Sequence, residues 1–387
     1  MSDIRPGPLS GLRILDLTRL LPGPVATLHL ADLGAEVIKI EDPGLGDYAR
    51  TLGTGQGEDS AYFRMLNRNK QGLVLDLKQP EAVTVFLRLV ETADVVVESF
   101  RPGVMDKLGI GYDRLAAVNP KITCCSISGY GQDGPYKDLA GHDINYLGYA
   151  GVLDQIGLEG SAPAIPNFQI ADLLGGAMTA VMGILAAVFD AQRSGKGRQV
   201  DVSMTDSVLA HTYFAMLRLN DVGRSAPRGT DFLSGGLPCY ATYRCADERY
   251  MAVGALESKF WALCCATLGQ PAWVGRQWDP VLRDEMAALF ASAPRDVWAE
   301  RFATVDCCVT PVLSPEEALE NPHLNARGMV LREGGLTQFA PPLKFSEFPF
   351  AIRQPAPRPG EHAEQILRAA GYADDAIAQL RATGVLG

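Results

Sequence analysis

A regular alternation of short apolar runs with helix-like stretches constrains how the first 200 residues of this 387-residue chain can fold. The runs are rich in Val, Ile and Leu and are mostly apolar, instead of alternating with polar residues. Apolar strands separated by helices are typical of a parallel sheet that helices cover on both faces. The predicted strands are residues 11–17, 36–41, 94–98, 121–128 and 199–203. The pattern therefore predicts an α/β fold built on a parallel sheet.

The pattern changes after residue 204, which predicts a second, smaller domain. Residues 205–237 are predicted to form a connecting helix and a Gly-, Arg- and Ser-rich linker, and residues 238–325 a smaller α/β domain. Six prolines between Pro341 and Pro359 predict an extended return segment within residues 326–387. The large domain is expected to contain residues 1–204 and the end of the chain.

Charge and loop sequence argue against two common classes of ligand. The chain has 35 Lys and Arg against 45 Asp and Glu, a formal charge of −10, which argues against nucleic acid as a partner. The loop after the first predicted strand contains Pro22 and Pro24, which lack the backbone N–H groups that a pyrophosphate needs. Neither G-x-G-x-x-G at that loop nor G-x-x-x-x-G-K-[ST] occurs. We therefore predict a Rossmann-like sheet without the usual site for NAD or a nucleoside triphosphate.

Cysteine spacing and the longest apolar run indicate the environment of the chain. Six of the eight cysteines form adjacent pairs in apolar runs, and no Cys-x-x-Cys occurs. Because zinc sites and secreted disulfide scaffolds use other patterns, we expect buried free thiols, no metal site and a cytoplasmic protein. Residues 173–189 form an uncharged run of 17 residues. This is shorter than the roughly 20 residues of a spanning helix, so a core helix and no membrane partner are predicted.

Three ionisable residues are candidates for catalysis. His142 follows a glycine in AGHDINY, at a predicted helix start, where it could cap the helix or transfer protons. Asp172 precedes the long apolar helix; burial would raise its pKa, whereas the helix dipole and N–H bonds would lower it. Glu257 begins another predicted helix and could be only a first-turn acid. Local sequence leaves these alternatives open.

Seven segments, in order along the chain, resemble the family III CoA-transferases. They are LSGLRILDLTRLLPGP, ADLGAEVIKIEDPG, LNRNKQGLVLDLK, ESFRPGVMDKLGIGYD, GYGQDGPY, SGKGRQVDVSM and CVTPVLSPEEALENPH. Within that family, AGHDINYL, NFQIADLLGG and YRCADERYMAVGALESKFW resemble the α-methylacyl-CoA racemase branch. The resemblance implies a large domain built from both chain ends, and an interlocked homodimer in which each subunit passes through a ring made by the other.

The resemblance implies a catalytic role for His142, Asp172 and Glu257. His142 and Asp172 would face opposite sides of C2 in a 2-methylacyl-CoA thioester, so that one removes a proton and the other returns one. Glu257 would partner the histidine and could complete the site of the partner subunit. We expect the backbone N–H of Asp143 to stabilise the enolate oxygen. Because transferases of the family use the position of Asp172 as a nucleophile, transfer of CoA between carboxylic acids through an aspartyl-CoA intermediate is the alternative activity.

The resemblance also implies a binding surface for the anionic CoA portion of the substrate. The expected residues are Leu21 in the loop Leu20–Pro22, Leu75, Lys78, Ser99, Phe100, Arg101 and Lys107. Lys78, Arg101 and Lys107 are the phosphate candidates among them. Asp42 stands where some relatives carry arginine, with Lys39 as a candidate to supply the missing charge. Because CoA is part of the substrate, no separate cofactor is expected.

Overall fold

The computed structural model describes residues 7–53 and 59–387 of the chain, which separate into two compact units. The first contains the described residues up to Ala150 together with Phe168–His211 and Gly328–Gly387. The second contains Gly151–Asn167 and Thr212–Arg327. Both ends of the chain therefore build the first unit.

The segment Gly151–Asn167 lies in the second unit, whereas the predicted boundaries placed these residues in the large domain. Hydrogen bonds from Arg228 account for this position. Its Nε donates to the carbonyl oxygen of Asp154 at 2.7 Å, and Nη2 donates to the Asp154 carboxylate at 2.8 Å. The remaining guanidinium nitrogen donates to the carbonyl oxygen of Ser161.

A six-stranded parallel sheet forms the centre of the first unit. The strands are β1 (Arg13–Asp16), β2 (Glu36–Glu41), β3 (Lys70–Val74), β4 (Val95–Glu98), β5 (Thr123–Ser128) and β6 (Gln199–Ser203). Their order is β3-β2-β1-β4-β5-β6, and every adjacent pair is parallel. The direction of winding reverses between β1 and β4. In open α/β sheets, that reversal opens a crevice at the carboxyl ends of the strands where ligands bind.

Helices cover both faces of this sheet. The helices of the first unit up to residue 209 are α1 (Pro22–Asp32), α2 (Ala61–Leu66), α3 (Pro80–Val90), α4 (Val104–Lys107), α5 (Tyr112–Val118), α6 (Asp143–Tyr149), α7 (Thr179–Ser194) and α8 (Met204–Leu209). Leu15 and Val96 face a core that includes α3 and α5, and their neighbours Ile14 and Val95 are equally buried. Burial on both faces explains why the strands are mostly apolar.

A π-helical turn, Ala171–Met178, precedes α7 and forms one continuous helical segment with it. Gly175 and Gly176 allow close packing, since a Cβ on Gly175 would lie 2.8 Å from the Met204 carbonyl oxygen and one on Gly176 would lie 2.6 Å from Pro22 Cβ. Among the described residues, Ala171–Ser194 is the one helical segment long and apolar enough to cross a membrane, and 39% of its most apolar stretch is buried. Core helices of soluble proteins meet the same criterion.

The second unit contains a three-stranded antiparallel sheet and six α-helices among its described residues. These are α9 (Tyr213–Val222), β7 (Tyr240–Arg244), β8 (Tyr250–Gly254), α10 (Ser258–Thr267), α11 (Leu282–Phe290), α12 (Arg295–Phe302), β9 (Val309–Pro311), α13 (Pro315–Leu319) and α14 (Pro322–Ala326). Trp261, Trp298 and Phe290 are the bulkiest fully buried residues of its core. All eight cysteines of the chain are free thiols, and Cys308 alone among them is exposed.

The chain returns to the first unit after residue 327. The remaining elements are the hairpin β10 (Val330–Glu333) and β11 (Leu336–Phe339), followed by α15 (Ala363–Ala369) and α16 (Asp374–Ala382). Leu367 and Ile377 of the last two helices pack into the core beneath α3.

The predicted connecting helix after residue 204 is two helices, α8 and α9. The Ala210 N–H still bonds the Asp206 carbonyl oxygen at 2.9 Å, but the His211 N–H bonds the carbonyl oxygen of Val208, three residues earlier, at 3.2 Å. This tighter turn ends α8. The division between the two units falls directly after His211.

Buried ion pairs lie beneath the loop that follows β1. Lys39 Nζ donates to Asp47 Oδ2 at 2.8 Å and to the Thr18 carbonyl oxygen at 3.0 Å, and both charged side chains are fully buried. Lys70, also fully buried, lies 3.2 Å from Asp16 Oδ2. Burial lowers the pKa of the Lys70 ammonium to about 8, against the opposing effect of Asp16. Because the buried Lys39 ammonium bonds Asp47 and the Thr18 carbonyl oxygen, Lys39 is not available to a ligand.

Removing Asp47 should destabilise the protein strongly, because the Lys39 ammonium would lose its direct carboxylate partner inside the fold. We expect Asp47→Ala to lower the free energy of unfolding by about 3–5 kcal/mol, measured by urea denaturation. The matched control is Glu91→Ala, which removes the exposed pair Arg88–Glu91 and should cost less than about 1 kcal/mol. Equal losses in the two variants would contradict this account of the buried pair.

Candidate active site

A cavity of about 730 Å³ lies in the first unit, at the carboxyl ends of β1, β4 and β5. Its walls come from the loops after those strands, from the start of α6 and from the π-helical turn. The lining residues with ionisable or hydroxyl groups are Arg19, Tyr48, Ser99, Arg101, Ser128, Tyr130, Lys137, His142, Tyr146 and Asp172. The cavity thus occupies the crevice where the winding of the sheet reverses.

His142 occupies the N-cap position of α6, with extended backbone angles. Its N–H donates to Asn145 Oδ1 at 3.0 Å, and the Asn145 N–H donates to the His142 carbonyl oxygen at 2.8 Å. The preceding residue must be small, because a Cβ on Gly141 would lie 2.6 Å from Tyr146 Cε1 and 2.8 Å from the Tyr130 hydroxyl. The histidine therefore caps the helix through its backbone while its side chain is exposed in the cavity.

Asp172 is the second residue of the π-helical turn, and its side chain lines the same cavity. Its backbone N–H donates to Asp143 Oδ1 at 3.0 Å. Burial raises the pKa of the Asp172 carboxyl to about 7, and the nearby charge of Asp143 raises it further in the same direction. Asp172 can therefore both give and accept a proton near neutral pH.

Tyrosines surround the acid–base residues. The Tyr146 hydroxyl donates to the Gly141 carbonyl oxygen at 2.5 Å, and the Tyr130 ring packs edge-on against Tyr146 with centroids 5.2 Å apart. Burial and the Asp172 charge raise the pKa of Tyr146 well above its ordinary value, and the same two causes raise the pKa of Tyr62 to about 12. These phenols therefore act as neutral groups near Asp172.

Three cationic side chains line the cavity, and sequence reasoning found only Arg101. Lys137 and Arg19 were missed. Arg19 Nη2 lies 2.6 Å from Asp42 Oδ2, and its Nη1 lies 3.2 Å from the Tyr48 hydroxyl. The available sequence signal for Arg19 was its place in the loop after the first strand. Its pairing partner Asp42 is 23 positions away, so the pairing itself gave no local signal.

The expected CoA-binding residues lie in two groups. Ser99, Phe100 and Arg101 line the cavity. The Phe100 N–H donates to Glu98 Oε2 at 2.7 Å, which fixes the loop that carries these residues. The others lie outside the described lining: Leu21 between two lining residues, Leu75 buried beside Leu386, and Lys78 and Lys107 exposed. Their binding roles stay predictions.

Glu257 and Asp143 were the remaining predicted site residues. Glu257 belongs to the second unit, where it is the exposed N-cap residue of α10. Asp143 is the first residue of α6, so its N–H is one of the donors that a helix start leaves without an intrahelical acceptor. A parallel sheet with acid–base side chains above its winding reversal is the arrangement of an α/β enzyme.

Comparison with known proteins identifies the family. Residues 9–363 match the model of CoA-transferase family III. The chain is 36% identical over 386 residues to alpha-methylacyl-CoA racemase of Homo sapiens, covering 98% of this chain and 97% of that protein. It is 34% identical over 368 residues to acetyl-CoA:oxalate CoA-transferase of Acetobacter aceti, covering 92% of each. The chain therefore belongs to CoA-transferase family III.

Solved structures agree with this assignment. A crystal structure of a CaiB/BaiF family protein from Brucella suis has a TM-score of 0.84 and 28% identity to this chain. The match covers 95% of this chain and 100% of that one. The predicted α/β fold is confirmed, and the chain is an enzyme of the family III superfamily. Racemases and CoA-transferases are similar to it at comparable identity.

The raised pKa of Asp172 predicts a pH dependence of stability. Because the folded-state pKa is about 7 and the ordinary value is 3.8, the folded protein holds this proton more tightly than the unfolded chain does. Stability is therefore lost as the pH rises from about 4 through 7. Between pH 5 and pH 8, the wild type should lose about 2–3 kcal/mol more unfolding free energy than the permanently neutral Asp172→Asn.

Urea denaturation at the two pH values measures this difference. Glu98, whose pKa burial also raises to about 7, is present in both proteins and cancels in the comparison. Equal losses in the wild type and the variant would show that Asp172 ionises in its ordinary range.

Proposed function

We propose that this enzyme is a racemase that inverts C2 of 2-methylacyl-CoA thioesters by 1,1-proton transfer through an enolate. The observation that carries the proposal is the placement of His142 and Asp172, which come from different elements, in one cavity. Inversion at carbon needs an acid and a base on opposite faces of the reacting atom, and these residues supply two such groups.

The reaction needs no redox change. One group removes the C2 proton, and the electron pair of the broken C–H bond forms the enolate, with negative charge on the thioester oxygen. The other group then gives a proton to the opposite face of C2. Asp172, with a pKa of about 7, suits both roles, and histidine is the side chain that most often transfers protons in enzymes. The Asp143 N–H at the start of α6 is the proposed donor to the enolate oxygen.

The CoA portion of the substrate is anionic, and the cavity offers cations to meet it. Arg19, Arg101 and Lys137 are the lining residues that we assign to this role. Lys78 and Lys107 are exposed and would contact only parts of the substrate outside the cavity. With CoA supplied by the substrate, the proposed reaction uses no separate cofactor.

The alternative activity is transfer of CoA between carboxylic acids, with Asp172 as the nucleophile of an aspartyl-CoA intermediate. The similarity to acetyl-CoA:oxalate CoA-transferase favours keeping this alternative. A nucleophilic aspartate must be ionised, however, and a pKa of about 7 leaves a large protonated fraction at neutral pH. The proton-transfer role fits this carboxyl better.

We further propose that the enzyme works as a homodimer. Helix α9 has no buried residue, and its apolar residues Phe214 and Leu217 are more than half exposed. On α7, Met182 is 65% exposed and Phe189 is 61% exposed. Exposed apolar helices of this kind need a partner surface, and a second copy of the chain is the proposed partner.

Isotope exchange tests the racemase proposal. In D2O, both (2R)- and (2S)-2-methylacyl-CoA should exchange the C2 proton and converge to a racemate. His142→Ala should lose racemisation by at least about 10²-fold, because one face then lacks its acid–base group. Exchange at full rate from both enantiomers by His142→Ala would refute the assignment of this histidine.

The same preparation separates the two chemistries. If transfer is the activity, no C2 exchange occurs, CoA appears on an added carboxylate, and hydroxylamine traps an acyl group at Asp172. Exchange without any trapped adduct would support proton transfer.

Subunit complementation tests the dimer and the role of Glu257. If Glu257 completes the partner's site, co-expressing His142→Ala with Glu257→Ala should restore activity that neither variant shows alone. The heterodimer then contains one site with both groups intact. Analytical ultracentrifugation should find a dimer, and Phe214→Glu should weaken it. A monomeric wild type would contradict the proposal.

A further inference from the structure

The carboxylate of Asp143 joins the two elements that carry His142 and Asp172. Its Oδ1 accepts the backbone N–H of Asp172 at 3.0 Å, across 29 residues of sequence. Asp143 directly follows His142 and is the first residue of α6. A single side chain therefore connects the backbone positions of the two groups that face the cavity.

The hydrogen bond satisfies a helix terminus that lacks a cap of its own. The N-cap residue of the π-helical turn is Ile170, which has no side-chain hydrogen-bond acceptor. The first N–H groups of a helix need partners from elsewhere, and Asp143 supplies one from another helix. Because Asp143 also stands in the first turn of α6, its negative charge lies at two helix N-termini, where the dipoles favour an anion.

We propose that the Asp143 carboxylate is a positioning residue, which sets the separation of His142 and Asp172 by holding the backbone of Asp172 against the start of α6. This inference rests on the proposed racemase function, in which the two groups must reach opposite faces of one carbon. A two-base reaction is sensitive to that separation, since a displacement of about 1 Å can cost about 10²-fold in rate.

The charge of Asp143 has a second effect, which can be measured apart from the hydrogen bond. After burial, that charge is the other cause of the raised pKa of Asp172. Two tyrosines also interact with the Asp172 carboxyl, Tyr62 from α2 and Tyr146 from α6. The other titratable or charged residues that line the same cavity are His142, Arg19, Arg101 and Lys137. They are unchanged in variants of Asp143, so a shift between variants reports on Asp143.

Two substitutions separate the two effects. Asp143→Asn keeps an oxygen that can accept the Asp172 N–H but removes the charge, whereas Asp143→Ala removes both. The matched control is Asp113→Ala, since Asp113 is an exposed first-turn aspartate of α5, which has the same length as α6. For each protein, kcat, KM and C2 exchange from both enantiomers are measured from pH 5 to pH 9, with Tm as a check on folding.

We expect Asp143→Ala to lower kcat by about 10²-fold with little change in KM, because the acid–base groups are displaced while thioester binding persists. Asp143→Asn should keep kcat within about tenfold of the wild type at its own optimum pH. The limb of its pH–rate profile that reports the ionisation of Asp172 should move to lower pH. The reason is that the variant lacks the Asp143 charge, which raises the pKa of Asp172. Asp113→Ala should match the wild type.

The outcomes distinguish a failure of the positioning role of Asp143 from a failure of the proposed racemase function. Wild-type exchange together with an Asp143→Ala variant of unchanged kcat would overturn the inference alone. If Asp143→Ala fails to fold, the Asn variant decides: a kcat lowered by about 10²-fold, although the acceptor oxygen is kept, would overturn the inference. Absence of exchange by the wild type would overturn the proposed function, and this inference with it.

Discussion

The buried pair Lys39–Asp47 is the interaction on which the geometry of the site depends. Lys39 bonds the Thr18 carbonyl oxygen at 3.0 Å, and Asp47 accepts the N–H of Leu20 at 2.9 Å. Together they hold Leu20 in a left-handed conformation, φ 67°, which is costly for a side chain of this size. Desolvating two charges is also costly. The strained backbone and the buried pair both occur in the loop that places Arg19 in the cavity. The geometry of this part of the site therefore depends on the buried pair.

A second electrostatic arrangement acts where α6 and the π-helical turn line the cavity. The starts of α6 and of the π-helical turn converge, and Asp143 bonds the Asp172 N–H between them. Two carboxyl groups are thereby held close together in a partly buried place, and the pKa of Asp172 rises to about 7. In a pair of acids whose environments differ in this way, one can stay ionised while the other gives and accepts a proton. Burial, and then the Asp143 charge that these two helix ends bring near, thus raise the pKa of one side chain.

Sequence predicted the parts of the fold that depend on local pattern. The boundaries of β2 and β6 coincide with the predicted ones, because each carries valine or isoleucine at alternate positions and has clear ends. Strand β3 was missed, since it begins with Lys70, whose buried ammonium is held by Asp16 from another strand, by Asn67 and by the Pro24 carbonyl oxygen. Arg19 was missed for the same reason: its position depends on Asp42. Residues whose environment is made by distant partners give no local signal.

The two activities considered for this enzyme would use the Asp172 carboxyl in different ways. As a nucleophile, Asp172 must be ionised when the thioester arrives; as an acid–base group, it must exchange a proton near neutral pH. Burial and the Asp143 charge both push its pKa upward, in the direction that favours proton exchange. A transferase built on this scaffold would need the opposite, a nearby cation or further N–H donors to the carboxylate. The Asp143 charge therefore supports the proposed proton transfer at Asp172 over the alternative CoA transfer.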